Sequence, residues 1–204
     1  MPLRNRLLLA AATVLLAPLA AAADTTRYAT DTPEATVQTL HKGLVALSLA
    51  RPDATVEERY RALEPLIAAT HDLPYIAQFA LRRQWNDLAP ADRERFVGAF
   101  ERLSVLTYAS RFGKLRADSF KIESSKTLDS GRAQVVAAIV RPDADDVPLE
   151  YLLEQRADGW KIINIIADGV SDLALKRAEY QRVLGSGTID DLIAYIDDQA
   201  HRLQ

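Results

Sequence analysis

Residues 116–169 read RADSFKIESSKTLDSGRAQVVAAIVRPDADDVPLEYLLEQRADGWKIINIIADG, and the spacing of their apolar residues decides the fold. Phe120 and Ile122 alternate with Lys121 and Glu123. Leu149, Tyr151 and Leu153 alternate with Glu150 and Glu154. A period of two is that of a strand, whose successive side chains point to opposite faces. Gln134–Val140 and Trp160–Ile166 are two further runs of strand length, rich in Val and Ile. Ser130-Gly131 is a turn, Asp143-Ala144-Asp145-Asp146 a loop, and Asp158-Gly159 a hairpin dipeptide. Four consecutive strands with short connections make an antiparallel meander.

On both sides of this block the period lengthens to that of a helix. Thr32-Pro33-Glu34 reads as an N-cap, a proline at the first helical position and an acid in the first turn. Val37, Leu40, Leu44 and Leu47 form its apolar stripe, and Arg51-Pro52-Asp53 ends it. Thr55-Val56-Glu57-Glu58 is a capping-box pattern opening a second helix, which Pro65 is expected to kink or split. Asp72-Leu73-Pro74 opens a short helix to about Leu81, and Trp85 to Pro90 reads as a turn. The longest helix begins near Pro90, with Phe96, Phe100, Leu103 and Thr107 on one face and Tyr108 and Phe112 beside it. After Asp168-Gly169 the chain turns helical again, with Leu173, Tyr180 and Leu184 on one stripe. Gly185-Ser186-Gly187 breaks it, and Thr188 caps a last helix carrying Ile189, Leu192, Ile193, Ile196 and Leu203. The expected fold is a single α+β domain: N-terminal helices, a four-stranded antiparallel sheet and two C-terminal helices.

Arg4 and Arg6, the uncharged run Leu7–Ala17 and the tract Ala20–Ala23 have the order of a secretory signal peptide. The expected organisation is a signal peptide at 1–23, a flexible tail at 24–32 and one domain at 33–204, exported to the periplasm. The whole chain has 25 Lys+Arg and 28 Asp+Glu. Without residues 1–23 the balance is about −5, and no basic block remains to neutralise phosphates, which argues against nucleic acid. With no cysteine, disulfides and thiol chemistry are excluded, and packing alone must hold the chain together.

Signals of catalysis are sparse. There is no Gly-x-Ser-x-Gly, no phosphate-binding glycine loop and no His-Glu-x-x-His. His41, His71 and His201 are far apart in sequence, and a surface or capping role is the expectation for each. The Asp143 to Asp146 loop lacks the glycine and distal glutamate of a calcium loop. No enzyme activity, metal or cofactor is expected. Arg82 and Arg83 read as a solvated helix end, with a phosphate or a partner's acidic patch as the alternative.

The apolar balance is more informative. Val135, Ala137 and Ile139 lie on one face of the second strand, Val136, Ala138 and Val140 on the other. Ile162 and Ile166 face away from Ile163 and Ile165 in the fourth. Either both faces are covered, or one lines an apolar cavity.

Three stretches carry a resemblance. They are Tyr75–Leu81 followed by Trp85, Pro90–Phe100 leading into Leu106–Ala109, and Gly159–Ser171 continuing to Arg177-Ala178-Glu179-Tyr180. Gly187-Thr188-Ile189-Asp190-Asp191-Leu192 follows in order. Together they resemble the MlaC, or toluene-tolerance auxiliary, family of periplasmic lipid-binding proteins, over about residues 33–203. Thr107–Phe112 and Leu173–Tyr180 are similar to the hopanoid-associated HpnM branch. The resemblance implies a carrier of phospholipid or hopanoid, with its tails in a cavity between sheet and helices. It also implies docking to an inner-membrane lipid transporter and an outer-membrane partner. Strand alternation and the facing helix nominate the lining: Phe120, Ile122, Val135, Ile139, Leu149, Tyr151, Leu153, Ile163 and Ile165, with Phe100, Leu103 and Tyr108 opposite. An adaptor with a filled core, bridging membrane proteins, and a small enzyme on a similar scaffold are the rival readings.

Overall fold

The helix starts form as their capping residues dictate. In a computed structural model, which describes residues 28–116 and 118–204, the Thr32 hydroxyl accepts from Ala35 N at 3.0 Å and opens α1 (Pro33–Ala50). Thr55 and Glu58 close a reciprocal capping box at α2 (Val56–Thr70), satisfying two donors that the helix itself cannot. Asp72 caps α3 (Leu73–Leu81), and Thr188 with Asp191 caps α7 (Ile189–His201). Between these lie α4 (Arg83–Asp87), α5 (Pro90–Arg111) and α6 (Asp172–Leu184). The expected signal peptide and the first residues of the expected tail lie outside the described residues. The described part of that tail is tied down: Trp160 N donates to Thr30 O at 2.7 Å, and the Thr39 hydroxyl donates to Ala29 O at 2.8 Å.

The sheet follows the chain: β1 (Phe120–Thr127), β2 (Ala133–Ile139), β3 (Val147–Arg156), β4 (Gly159–Ala167) and β5 (Val170–Ser171), each antiparallel to the next. The fifth strand corrects the expected four. Asp168 and Gly169 both take positive φ, 49° and 76°, so a two-residue hairpin turns the chain back on β4 before the helix begins. Pro65 does not split α2, which runs as one helix from Val56 to Thr70; the proline sits on the exposed side, where the Arg61 carbonyl it strands meets water. Trp85 to Asp87, the first half of the expected turn, belong instead to α4.

The core lies on one side of the sheet. Ala133, Val135 and Ala137 of β2 and Leu149, Tyr151 and Leu153 of β3 are buried there, and the residues between them are mostly half-buried. Helices α1, α2, α3 and α6 pack on the sheet, and α5 brings Phe96 and Phe100 to the centre. Both rings meet Tyr180 of α6 edge-on, at centroid distances of 5.8 and 6.4 Å. The buried Tyr180 hydroxyl has no hydrogen-bond partner among the described residues, a condition that costs about 1–3 kcal/mol. Tyr180→Phe is therefore expected to raise the unfolding free energy by about 1 kcal/mol in urea titration. A clear loss of stability would show that the hydroxyl is bonded in solution.

Candidate functional site

Between the sheet and the helices lies a cavity of about 500 Å³, within the roughly 300–1,000 Å³ of small-molecule sites. The sheet contributes Phe120, Ile139, Leu149, Tyr151, Ile162 and Ile165; α5 contributes Phe100, Ser104, Thr107, Tyr108 and Arg111. Leu44 closes it from α1, His71 from the end of α2 and Leu73 and Ile76 from α3, with Val170, Asp172, Leu173, Leu175 and Lys176 at the β5–α6 corner. The exposed members, Arg111, Ala167, Val170, Asp172 and Leu175, mark a mouth between the end of α5 and that corner.

Seven of the twelve nominated residues line this space: Phe100, Tyr108, Phe120, Ile139, Leu149, Tyr151 and Ile165. Val135 and Leu153 are fully buried in the core cluster, Leu103 and Ile122 sit half-buried against it, and Ile163 is buried outside it. The fourth strand departs from the alternation because the register shifts at Leu152/Leu153, where Leu152 pairs with Asn164 but Leu153 with Ile162. The extra residue is a bulge, which re-phases the strand, so Ile162 and Ile165 both line the cavity. The Ser104, Thr107 and Arg111 positions follow Phe100 at helical spacing and were legible in principle. Lining by residues 170–176 had no local signal.

The polar groups in the wall are mostly spent on the protein itself. The Ser104 hydroxyl donates to Phe100 O at 2.7 Å and the Thr107 hydroxyl to Leu103 O at 2.8 Å, which hides their polarity in the helix. His71 and His41, expected at the surface or as caps, are both buried, 5% exposed; His71 does cap α2. The Thr70 hydroxyl donates to Leu66 O at 2.8 Å and so accepts from His71 Nδ1–H at 2.9 Å. His71 Nε2 is then bare and accepts the Tyr108 O–H at 2.9 Å. His41 Nε2 shares a 2.8 Å hydrogen bond with the Tyr151 hydroxyl, and its ring stacks on Phe120 at 4.1 Å. Burial pushes both imidazoles down to about 4 and raises the Tyr108 and Tyr151 hydroxyls. At neutral pH the two tyrosines of the cavity wall, Tyr108 and Tyr151, are therefore each paired with an uncharged imidazole, of which His71 lines the cavity and His41 does not.

Among the described residues no group of three His, Asp or Glu side chains is placed to hold a metal ion, and no helix is long and apolar enough to cross a membrane. The family model described as MlaC protein matches residues 38–198, from α1 through most of α7. The chain belongs to the MlaC family. Toluene tolerance protein ttg2D of Pseudomonas putida is 23% identical over 122 residues, 59% of this chain and 57% of that protein. The chain thus spans a little over half the length of this relative. A phospholipid-binding protein from Ralstonia solanacearum, solved in complex with a phospholipid, superposes with a TM-score of 0.74 at 20% identity, over 83% of this chain and 97% of that one. This likeness shows that the two share the α+β fold.

Proposed function

We propose that this chain is a periplasmic lipid carrier that holds acyl tails in the cavity between sheet and helices and shuttles phospholipid between inner and outer membrane. The observation that carries the reading is the cavity itself: about 500 Å³, walled mainly by aliphatic and aromatic side chains and open at one corner. Its fold is that of a Ralstonia protein solved with a phospholipid. The signal-peptide pattern at 1–23 supports export, and the hopanoid-associated resemblance makes hopanoid the alternative cargo. In this reading the carrier loads and unloads at an inner-membrane lipid transporter and an outer-membrane partner.

The energetics suit a shuttle. Each methylene taken from water into the cavity gains about 0.8 kcal/mol, but a lipid arrives from a bilayer, where its tails are already in hydrocarbon. The net transfer is close to zero, so cargo moves both ways without a catalytic residue. A methylene fills roughly the 30 Å³ of a water molecule, so the cavity admits on the order of 17 of them, the tail of one chain. A second tail requires a wall to part. Helix α6 is the weakest wall, with Tyr180 its single buried residue. The head group stays at the mouth, in solvent.

Native mass spectrometry of the chain purified from the periplasm, followed by organic extraction, tests this. A stoichiometric phospholipid adduct is expected. A hopanoid adduct supports the narrower branch. A chain that stays empty after incubation with both lipid classes sinks the carrier and leaves the adaptor.

A further inference from the structure

Three arginines converge on one surface hollow at the junction of α3, α4 and α6. Arg82, Arg83 and Arg177 line an open depression of about 610 Å³ together with Gln84, Asp87 and Gln181. Its floor is fixed, because the Gln84 and Gln181 amides bond each other in both directions, at 2.8 and 3.0 Å. Among the described residues no side-chain hydrogen bond or ion pair engages any of the three guanidiniums. The hollow thus sets three unneutralised cations against one carboxylate, on a chain of net charge −3.

The backbone adds an independent observation. Arg82 has φ 53° and ψ −116°, the geometry of the first central residue of a type II′ turn, where glycine belongs. A β-carbon there is strained, and a guanidinium that met only solvent would offset none of that strain. An exposed apolar ring adjoins the cations: Phe79, 39% exposed, lies in a neighbouring depression that shares Arg82 and Arg83.

Arginines beside exposed apolar groups suit an anionic bilayer, where charge meets phosphate and apolar side chains meet the acyl boundary. Paired guanidiniums hold a phosphate through parallel N–H···O bonds. We propose that the hollow of Arg82, Arg83 and Arg177 binds the phosphate of an anionic membrane lipid and seats the protein on the bilayer, an inference that rests on the carrier function above.

Co-sedimentation of the purified chain with vesicles tests it, using phosphatidylcholine alone and phosphatidylcholine mixed with phosphatidylglycerol. Binding is expected only to the mixed vesicles, weakening as salt rises. The double variant R83Q/R177Q should lose about 30-fold in affinity, fivefold per charge. R82G should lose about fivefold while raising the melting temperature, a combination that a merely structural arginine would not give. Equal binding to both vesicle types, or full binding by the double variant, overturns the proposal. So does calorimetric binding of inorganic phosphate without vesicle binding, which would assign the hollow to a free anion. Arginine-dependent binding of polyglutamate without vesicle binding overturns it too, in favour of an acidic protein partner. Lipid content measured on the same preparations separates the two readings. Variants that keep their cargo yet leave the vesicles support the hollow. An empty chain that still binds anionic vesicles through it rejects the carrier and keeps the hollow.

Discussion

Ser104→Trp is expected to give a folded chain that retains no lipid. Ser104 lines the cavity from α5, one turn beyond Phe100. Its hydroxyl bonds only Phe100 O, 2.7 Å away, a carbonyl that the helix already pairs, so its loss strands no partner. An indole at this position projects into open space among apolar walls, where it gains contacts instead of overpacking a filled core. It takes the room of at least about five methylenes, and each excluded methylene forfeits about 0.8 kcal/mol. Retention should therefore fall on the order of a thousandfold, enough to erase the lipid adduct from a native mass spectrum. The melting temperature should hold or rise. A variant that keeps its lipid would locate the cargo somewhere other than this cavity.

Acid should weaken the fold well before its carboxylates titrate. His41 and His71 protonate near 6.5 in the unfolded chain but near 4 in the folded one, because burial disfavours the imidazolium. Between those values the unfolded chain binds more protons, so stability falls as pH drops from about 6.5 to about 4 and is fully present above that window. Each histidine contributes on the order of 3 kcal/mol across it. Together that is a large share of the roughly 5–15 kcal/mol that holds a typical domain. Urea midpoints measured near neutral pH and near pH 4 read the loss directly. Replacing His41 by Leu together with Tyr151→Phe removes one pair without leaving a polar atom stranded, and should halve the pH dependence. Equal stability at the two pH values would mean that the imidazoles are not buried uncharged.

Both predictions depend on features that the sequence displays unevenly. Helix starts were legible because capping is local: Thr32, Thr55, Asp72 and Thr188 act on backbone donors within three residues. The inward faces of β2 and β3 were legible because their alternation is uninterrupted. The bulge in β4 left no trace in a run of isoleucines, since any phase of Trp160–Ile166 looks equally apolar. The Asp168-Gly169 hairpin was missed although Asp158-Gly159 carries the same dipeptide, because its returning strand is only two residues long. The tyrosine partners of His41 and His71 lie 110 and 37 residues away, and α6 reaches the cavity across a similar gulf. Periodicity carries no information at that range.

The strand order β1-β2-β3-β4-β5 also bears on how the molecule assembles. Each strand finds its neighbour across a short connection, so the sheet can grow by successive hairpins with little loop-closure entropy to overcome. The distant contacts are those that the two helical blocks, which flank the sheet in sequence, make with the sheet and with each other. The cavity occupies the seam between the sheet and those blocks, so its walls are joined by the contacts whose loop closure costs the most entropy.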